Sequence, residues 1–225
     1  MKQELQHMDR FSTVWPFQSR VVPVIVLTHP SQAVPLAHAL LEGGIDVMEI
    51  TLRHAAGLAC IEAVAKAVPD MHVGAGTVTR PDEMKQVREA GARFALSPGL
   101  TPELHQAAQE QRLPFMPGVM TPSEVMCARD WGYGTVKLFP AAQAGGLGMV
   151  KALAGPLGDM KLCPTGGVGP DNLAEFLRQP NVSMVGGSWL TPATLIEAQD
   201  WDALTRLAAQ ASGIVHALNI QSQTS

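Results

Sequence analysis

The sequence predicts an α/β chain folded as a single-domain (β/α)₈ TIM barrel. Short β-branched runs alternate with Ala/Leu-rich segments along the whole chain, and eight such runs follow one another without a linker. They begin near Val21, Val47, His72, Arg93, Pro114, Thr135, Met160 and Val182, at spacings of 26, 25, 21, 21, 21, 25 and 22 residues. Each spacing is one βα unit, and consecutive units predict a parallel sheet, doubly wound or closed into a barrel. The count of eight and the even period favour the barrel. A doubly wound sheet would usually carry G-x-G-x-x-G after its first strand, and residues 21–29 contain none.

Residues 1–20 read as an N-terminal extension forming a short helix over the barrel floor, and residues 21–220 as the barrel. The tail from Gln221 reads as frayed. Ser31 precedes an apolar-periodic run to Leu41. Thr79-Arg80-Pro81-Asp82-Glu83, Thr101-Pro102-Glu103, Thr121-Pro122-Ser123-Glu124 and Thr191-Pro192 repeat a cap followed by proline, the chemistry of a helix start. Gly43-Gly44, Gly91 and Gly132 mark helix ends.

Bulk composition narrows the function. Hydrophobic residues make up 46% of the chain and charged residues 16%, which describes a well-filled globular core. A net charge of −4 gives nucleic acid or an anionic membrane no electrostatic reason to bind. No apolar run approaches the roughly 18 residues of a membrane helix, and the polar start, Met1 to Arg10, is not a secretory signal. Cys60, Cys127 and Cys163 stand far apart without a C-x-x-C, so a cytoplasmic setting is expected. The seven histidines form no metal-type cluster, and no metal or other cofactor is expected.

The chemistry of such a barrel collects at the C-terminal ends of its strands. Gly134-Thr135-Val136-Lys137-Leu138-Phe139-Pro140-Ala141 places one lysine inside an apolar strand, with Thr135, Lys137 and Phe139 on one face. A walled-in ammonium is costly to desolvate, which favours the free amine that a Schiff-base lysine needs. A lysine on a solvated edge strand is the plain alternative. In Val47-Met48-Glu49-Ile50-Thr51-Leu52-Arg53, Glu49 faces the lumen if Met48 and Ile50 meet the helices, and Lys137 is the cation to offset it. Arg53, at that strand's end, is suited to fork onto a carboxylate or phosphate.

Gly74-Ala75-Gly76-Thr77 puts two glycines in a strand, a mark of close backbone or ligand approach, and adds a hydroxyl at the mouth. Ser97-Pro98-Gly99 and Met116-Pro117-Gly118 read as tight turns. Pro164-Thr165-Gly166-Gly167 after strand seven and Gly186-Gly187-Ser188 after strand eight occupy the phosphate corner of many barrels.

Taken in order, Glu49-Ile50-Thr51-Leu52-Arg53, Gly74-Ala75-Gly76-Thr77, Ser97-Pro98-Gly99, Lys137-Leu138-Phe139-Pro140-Ala141, Pro164-Thr165-Gly166-Gly167 and Gly186-Gly187-Ser188 resemble the 2-keto-3-deoxy-6-phosphogluconate aldolase family. The similarity runs from about Val21 to Trp201. It implies a metal-free class I aldolase of the Entner–Doudoroff pathway, commonly a homotrimer, whose bacterial members often also cleave 4-hydroxy-2-oxoglutarate. By the resemblance, Lys137 forms the Schiff base and Glu49 transfers protons. Arg53 and Thr77 hold the pyruvyl carboxylate region, and Pro98 and Phe139 line the substrate. Thr165, Gly166, Gly167, Gly187 and Ser188 serve the phosphate and substrate choice. Some relatives carry an arginine near the end of strand one, where this chain reads Val24-Ile25-Val26-Leu27, so its phosphate grip is expected from backbone dipoles and Ser188. The alternative readings are another phosphosugar barrel, such as an isomerase or a 2-keto-3-deoxy-6-phosphogalactonate aldolase, and a non-catalytic sugar-phosphate-binding barrel.

Overall fold

A computed structural model describes residues 15–223. Strands and helices alternate along the chain: β1 (Val21–Ile25), α1 (Ala33–Glu42), β2 (Val47–Thr51), α2 (Gly57–Ala67), β3 (His72–Gly76), α3 (Pro81–Glu89), β4 (Ala95–Leu96) and α4 (Pro102–Gln111). There follow β5 (Phe115–Met116), β6 (Gly118–Val119), α5 (Pro122–Asp130), β7 (Thr135–Leu138), α6 (Gly146–Ala154), β8 (Lys161–Pro164), α7 (Leu173–Leu177), β9 (Val185–Gly187), α8 (Ala193–Glu197) and α9 (Trp201–Gln223).

Every ladder is parallel, and the strands run β5-β4-β3-β2-β1-β9 in one sheet and β6-β7-β8 in another. Isolated bridges Leu162↔Val182 and Thr165↔Gly186 join the β8 and β9 segments, which closes the ring. Both faces of β1 and β2 are buried, as a sheet lined by helices outside and side chains inside requires. Register fixes which residues share the lumen: Val24 lies beside Glu49, Glu49 beside Gly74, Gly118 beside Lys137, and Lys137 beside Cys163.

The predicted fifth strand is two pieces. Pro117 has no N–H to give a ladder, so β5 ends before it, paired with β4, and β6 begins after it, paired with β7. Buried Ser97 braces the break: its hydroxyl donates to the Gly99 carbonyl and accepts from the Gly118 amide at 3.4 Å. A side chain at Gly118 would collide with the backbone of Pro98.

Several helix starts differ from the sequence reading. Ser31 lies in a 3₁₀ turn (Pro30–Gln32), and α1 follows without a side-chain cap. At α3 the N-cap is Arg80 rather than Thr79. Glu83 reaches back instead, accepting from the amides of Thr79 at 2.7 Å and Arg80 at 3.0 Å. Thr101 and Thr121 cap α4 and α5 as expected. Thr191 does not cap α8, whose N-cap is Pro192; its hydroxyl is buried without a partner. Gly44, Gly91 and Gly132 take the positive φ values expected of helix ends. Residues 1–14 of the predicted N-terminal helix lie outside the described residues, and 15–20 carry no helix. Trp15 and Phe17 instead pack on Phe94 at the strands' N-terminal ends. Toward the other terminus, α9 continues to Gln223, past the expected fraying at Gln221.

Gly118→Ala is expected to destabilise the fold by about 1–3 kcal/mol, because the obstacle is backbone and yields only if β6 moves. Urea denaturation checks this. A midpoint unchanged from the parent would contradict the account of the strand break.

Candidate active site

Glu49 and Lys137 come from strands on opposite sides of the lumen and meet in it. Glu49 Oε1 lies 2.9 Å from Lys137 Nζ, and the side chains are 1% and 5% exposed. Desolvating two charges is costly, and an attraction at this distance offsets the cost only while both partners are present. The second oxygen, Glu49 Oε2, is buried and has no hydrogen-bond partner among the described residues. A buried acceptor left open beside a lysine is a natural place for a reacting proton. Lys137 Nζ also stands 5.4 Å from the centre of the half-buried Phe139 ring.

Cys163, in register with Lys137, is fully buried, and burial pushes its thiol up to about 12. The nearby Lys137 charge and a hydrogen bond with Thr165 act in the opposite sense and do not overcome it. Cys163 is therefore a neutral packing thiol beside the amine. Its strand gave no sign of this in sequence beyond adjacency to the P-T-G-G run.

The other predicted residues form a rim around the pair. Thr77 sits just past β3 at φ 61°, an uncommon backbone state for a β-branched residue and of order 1–3 kcal/mol in strain. Its amide donates to no carbonyl among the described residues, so an N–H and a hydroxyl are both available at the mouth. Arg53 is exposed beyond β2 and makes no ion pair or side-chain hydrogen bond with another described residue. Pro98 is exposed on the turn that braces β6. The rim also carries exposed Val26 and Met120, which the sequence reading did not single out.

The glycine loops gather on one side. Thr165 is buried, donates its hydroxyl to the Cys163 carbonyl at 3.2 Å, and bridges to Gly186. The loop after β7 is tied to the loop after β8: the Ala141 amide donates to Thr165 and the Ala142 amide to Gly166. Gly166 and Gly167 take φ of 92° and 83°, and a side chain at Gly167 would strike Ala142. The amides of Gly166, Gly167 and Ser188 donate to no carbonyl among the described residues, which leaves three N–H groups for an anion. Ser188 is exposed, and the Trp189 ring fills the space a Gly187 side chain would take.

The structure thus brings Lys137, Glu49 and Phe139 into one cluster, and Thr165 to Gly167 with Gly187 and Ser188 into another. Arg53 and Pro98 stay at the solvent edge. A cavity of about 450 Å³ lies at the opposite end of the barrel, lined by Arg20, Asp46, Ser212 and His216 among others, remote from the pair. Among the described residues no group of three His, Cys, Asp or Glu is placed to hold a metal ion. Nor is any helix among them long and apolar enough to cross a membrane.

The chain is similar to known proteins in sequence and in fold. Residues 17–207 match the family model for KDPG and KHG aldolase. The chain is 48% identical over 194 residues to the 2-dehydro-3-deoxy-phosphogluconate aldolase of Pseudoalteromonas atlantica, covering 86% of this chain and 90% of that one. It is 48% identical over 191 residues to the KHG/KDPG aldolase of Escherichia coli, at 85% and 90% coverage. The KDPG aldolase of Legionella pneumophila, solved with pyruvate captured as a covalent carbinolamine, superposes with a TM-score of 0.84 at 44% identity, covering 88% of this chain and 99% of that one. Tryptophan synthase from M. tuberculosis, 17% identical with a TM-score of 0.63, shares the barrel fold alone. With the family model spanning most of the chain and these relatives matching it nearly end to end, the protein belongs to the KDPG and KHG aldolase family.

Proposed function

We propose that the protein is a class I aldolase that cleaves 2-keto-3-deoxy-6-phosphogluconate to pyruvate and glyceraldehyde 3-phosphate, and 4-hydroxy-2-oxoglutarate to pyruvate and glyoxylate. The observation that carries the reading is the buried Lys137–Glu49 pair at 2.9 Å, with one carboxylate oxygen left open. A barrel that only bound sugar phosphates would gain nothing from two desolvated charges in its lumen. The 48% identity to phosphogluconate aldolases supports the gluconate substrate over its galactonate epimer.

The steps follow from where negative charge must go. Lys137 passes its proton to Glu49 and, as the free amine, adds to the C2 carbonyl; Glu49 then gives that proton to the carbinolamine hydroxyl, which leaves as water, so that a protonated imine and the Glu49 carboxylate remain. Breaking C3–C4 then delivers the bonding electrons into the imine as an enamine, so no free carbanion forms. Glu49 takes the C4 hydroxyl proton as the aldehyde departs and returns a proton to C3 of the enamine. Hydrolysis of the resulting imine frees pyruvate and Lys137. Arg53 and the Thr77 N–H and hydroxyl hold the pyruvyl carboxylate, and Phe139 and Pro98 wall the substrate. The free amides of Gly166, Gly167 and Ser188, with the Ser188 hydroxyl, receive the phosphate, while Thr165 and Gly187 shape that corner. A homotrimer in a cytoplasmic setting belongs to the same reading.

Lys137→Ala is expected to abolish the pyruvyl adduct trapped by borohydride, read by intact mass and peptide mapping. Glu49→Gln should keep the adduct and lose about 10²–10⁴-fold in kcat. An adduct that persists in Lys137→Ala contradicts the lysine assignment. Ser188→Ala should raise KM for the phosphorylated substrate about 10–100-fold, the worth of one hydrogen bond to a charged group, and leave KM for 4-hydroxy-2-oxoglutarate unchanged. Equal effects on both substrates would remove Ser188 from the phosphate site. Light scattering should give three times the 23.9 kDa chain mass, and a monomer would refute the trimer.

A further inference from the structure

Glu49 and Gly74 are partners in register, yet the Glu49 carboxylate does not lie over Gly74. Phe94 fills the space beside Gly74, where a side chain would meet its ring. The glutamate leans instead toward the mouth, by one further pair along the strand, and lies over Gly76. A β-carbon built on Gly76 would overlap Glu49 Oε1, Cγ and Cδ. Those same atoms place Oε1 against Lys137 Nζ. The carboxylate thus reaches the amine by occupying the volume that any side chain at position 76 would take.

From this geometry we infer that Gly76 is a positioning residue for the proton transfer: the missing side chain is the niche that holds Glu49 against Lys137. The inference rests on the proposed role of Glu49. Gly76 has no positive φ, so its backbone is one that alanine can adopt, and conformational freedom is not the reason for glycine here. The obstacle also differs in kind from the one at Gly118. There an added methyl meets backbone, whereas at Gly76 it meets the far end of a flexible side chain, which can swing aside. Alanine at 76 is therefore accommodated by moving Glu49 rather than by breaking β3. A displacement of about 1 Å at a reacting group is enough to cost on the order of 10²-fold in rate.

The test is a cycle of four full-length proteins: the parent, Gly76→Ala, Glu49→Gln and the double variant, assayed on 2-keto-3-deoxy-6-phosphogluconate. Gly76→Ala should lose about 10²-fold in kcat, keep KM within a few-fold, and still give the borohydride-trapped pyruvyl adduct on Lys137. In the Glu49→Gln background the same substitution should change kcat by less than about twofold, because the group it displaces no longer carries protons. A purely structural role for Gly76 would cost the same factor in both backgrounds, and that result overturns the inference. So does a Gly76→Ala enzyme with the parent's kcat while Glu49→Gln is slow. If Glu49→Gln itself turns over at the parent's rate, the proton-transfer reading has failed and this inference falls with it. Should Gly76→Ala fail to fold, Glu49→Ala/Gly76→Ala removes the obstructing atoms. Glu49→Ala alone sets the cost of leaving Lys137 unpaired: a double variant as stable as Glu49→Ala supports the contact, and one that collapses while Glu49→Ala folds refutes it. Gly148→Ala, in α6 with open space around it, serves as the unaffected control.

Discussion

The ion pair between Glu49 and Lys137 is the constraint around which the barrel is arranged. Two charges taken out of water need each other, and their 2.9 Å separation leaves no tolerance for a shift of either strand. Neighbouring positions answer to that requirement. Gly118 stands beside Lys137 without a side chain, Cys163 flanks it as an uncharged thiol, and Gly76 leaves space for the carboxylate. An apolar filling of the same lumen would pack with less cost, so the charges mark function rather than stability.

Function and stability are divided along the barrel axis. At the strands' C-terminal ends lie the left-handed residues Thr77, Gly166 and Gly167 and the open amides of the glycine loops. At the N-terminal ends, Trp15, Phe17 and Phe94 pack ring against ring, and Asp46 takes three donors from Gln18 and Ser19. The mouth keeps strain and open backbone amides because a ligand can use them, while the floor is held by ring packing and by the bonds to Asp46, with the buried Trp15 Nε1 and Ser183 hydroxyl left without a partner among the described residues.

Much of this was legible in the sequence for simple reasons. Apolar runs paced at one βα unit can hardly form anything but a parallel sheet, and eight of them close. Lys137 and Glu49 stood out because each is a single charge inside an apolar strand, which is costly unless paired. What escaped depends on third partners. Pro117 was visible, but that it would divide a strand between two ladders depended on Ser97 and Pro98 bracing the break. Thr191 has the residue type of a helix cap yet lies buried, so its hydroxyl never reaches an amide. The glycines at 74 and 76 signalled close approach, but sequence could not say that a phenyl ring takes one space and a carboxylate the other. Arg53 makes no ion pair or side-chain hydrogen bond with another described residue, so its reading rests on its place at the end of β2.

The break at Pro117 has a consequence for turnover. It assigns Glu49 to the six-stranded sheet and Lys137 to the three-stranded one, so their attraction is a tie-rod between two halves of the ring. In the proposed reaction a protonated imine keeps its positive charge, and the rod stays in tension until bond cleavage. The free amine, the carbinolamine and the enamine are neutral at nitrogen. At those stages no charge on Lys137 ties the halves at the lumen, and while the enamine stands the bound pyruvyl unit itself becomes the mechanical link between them.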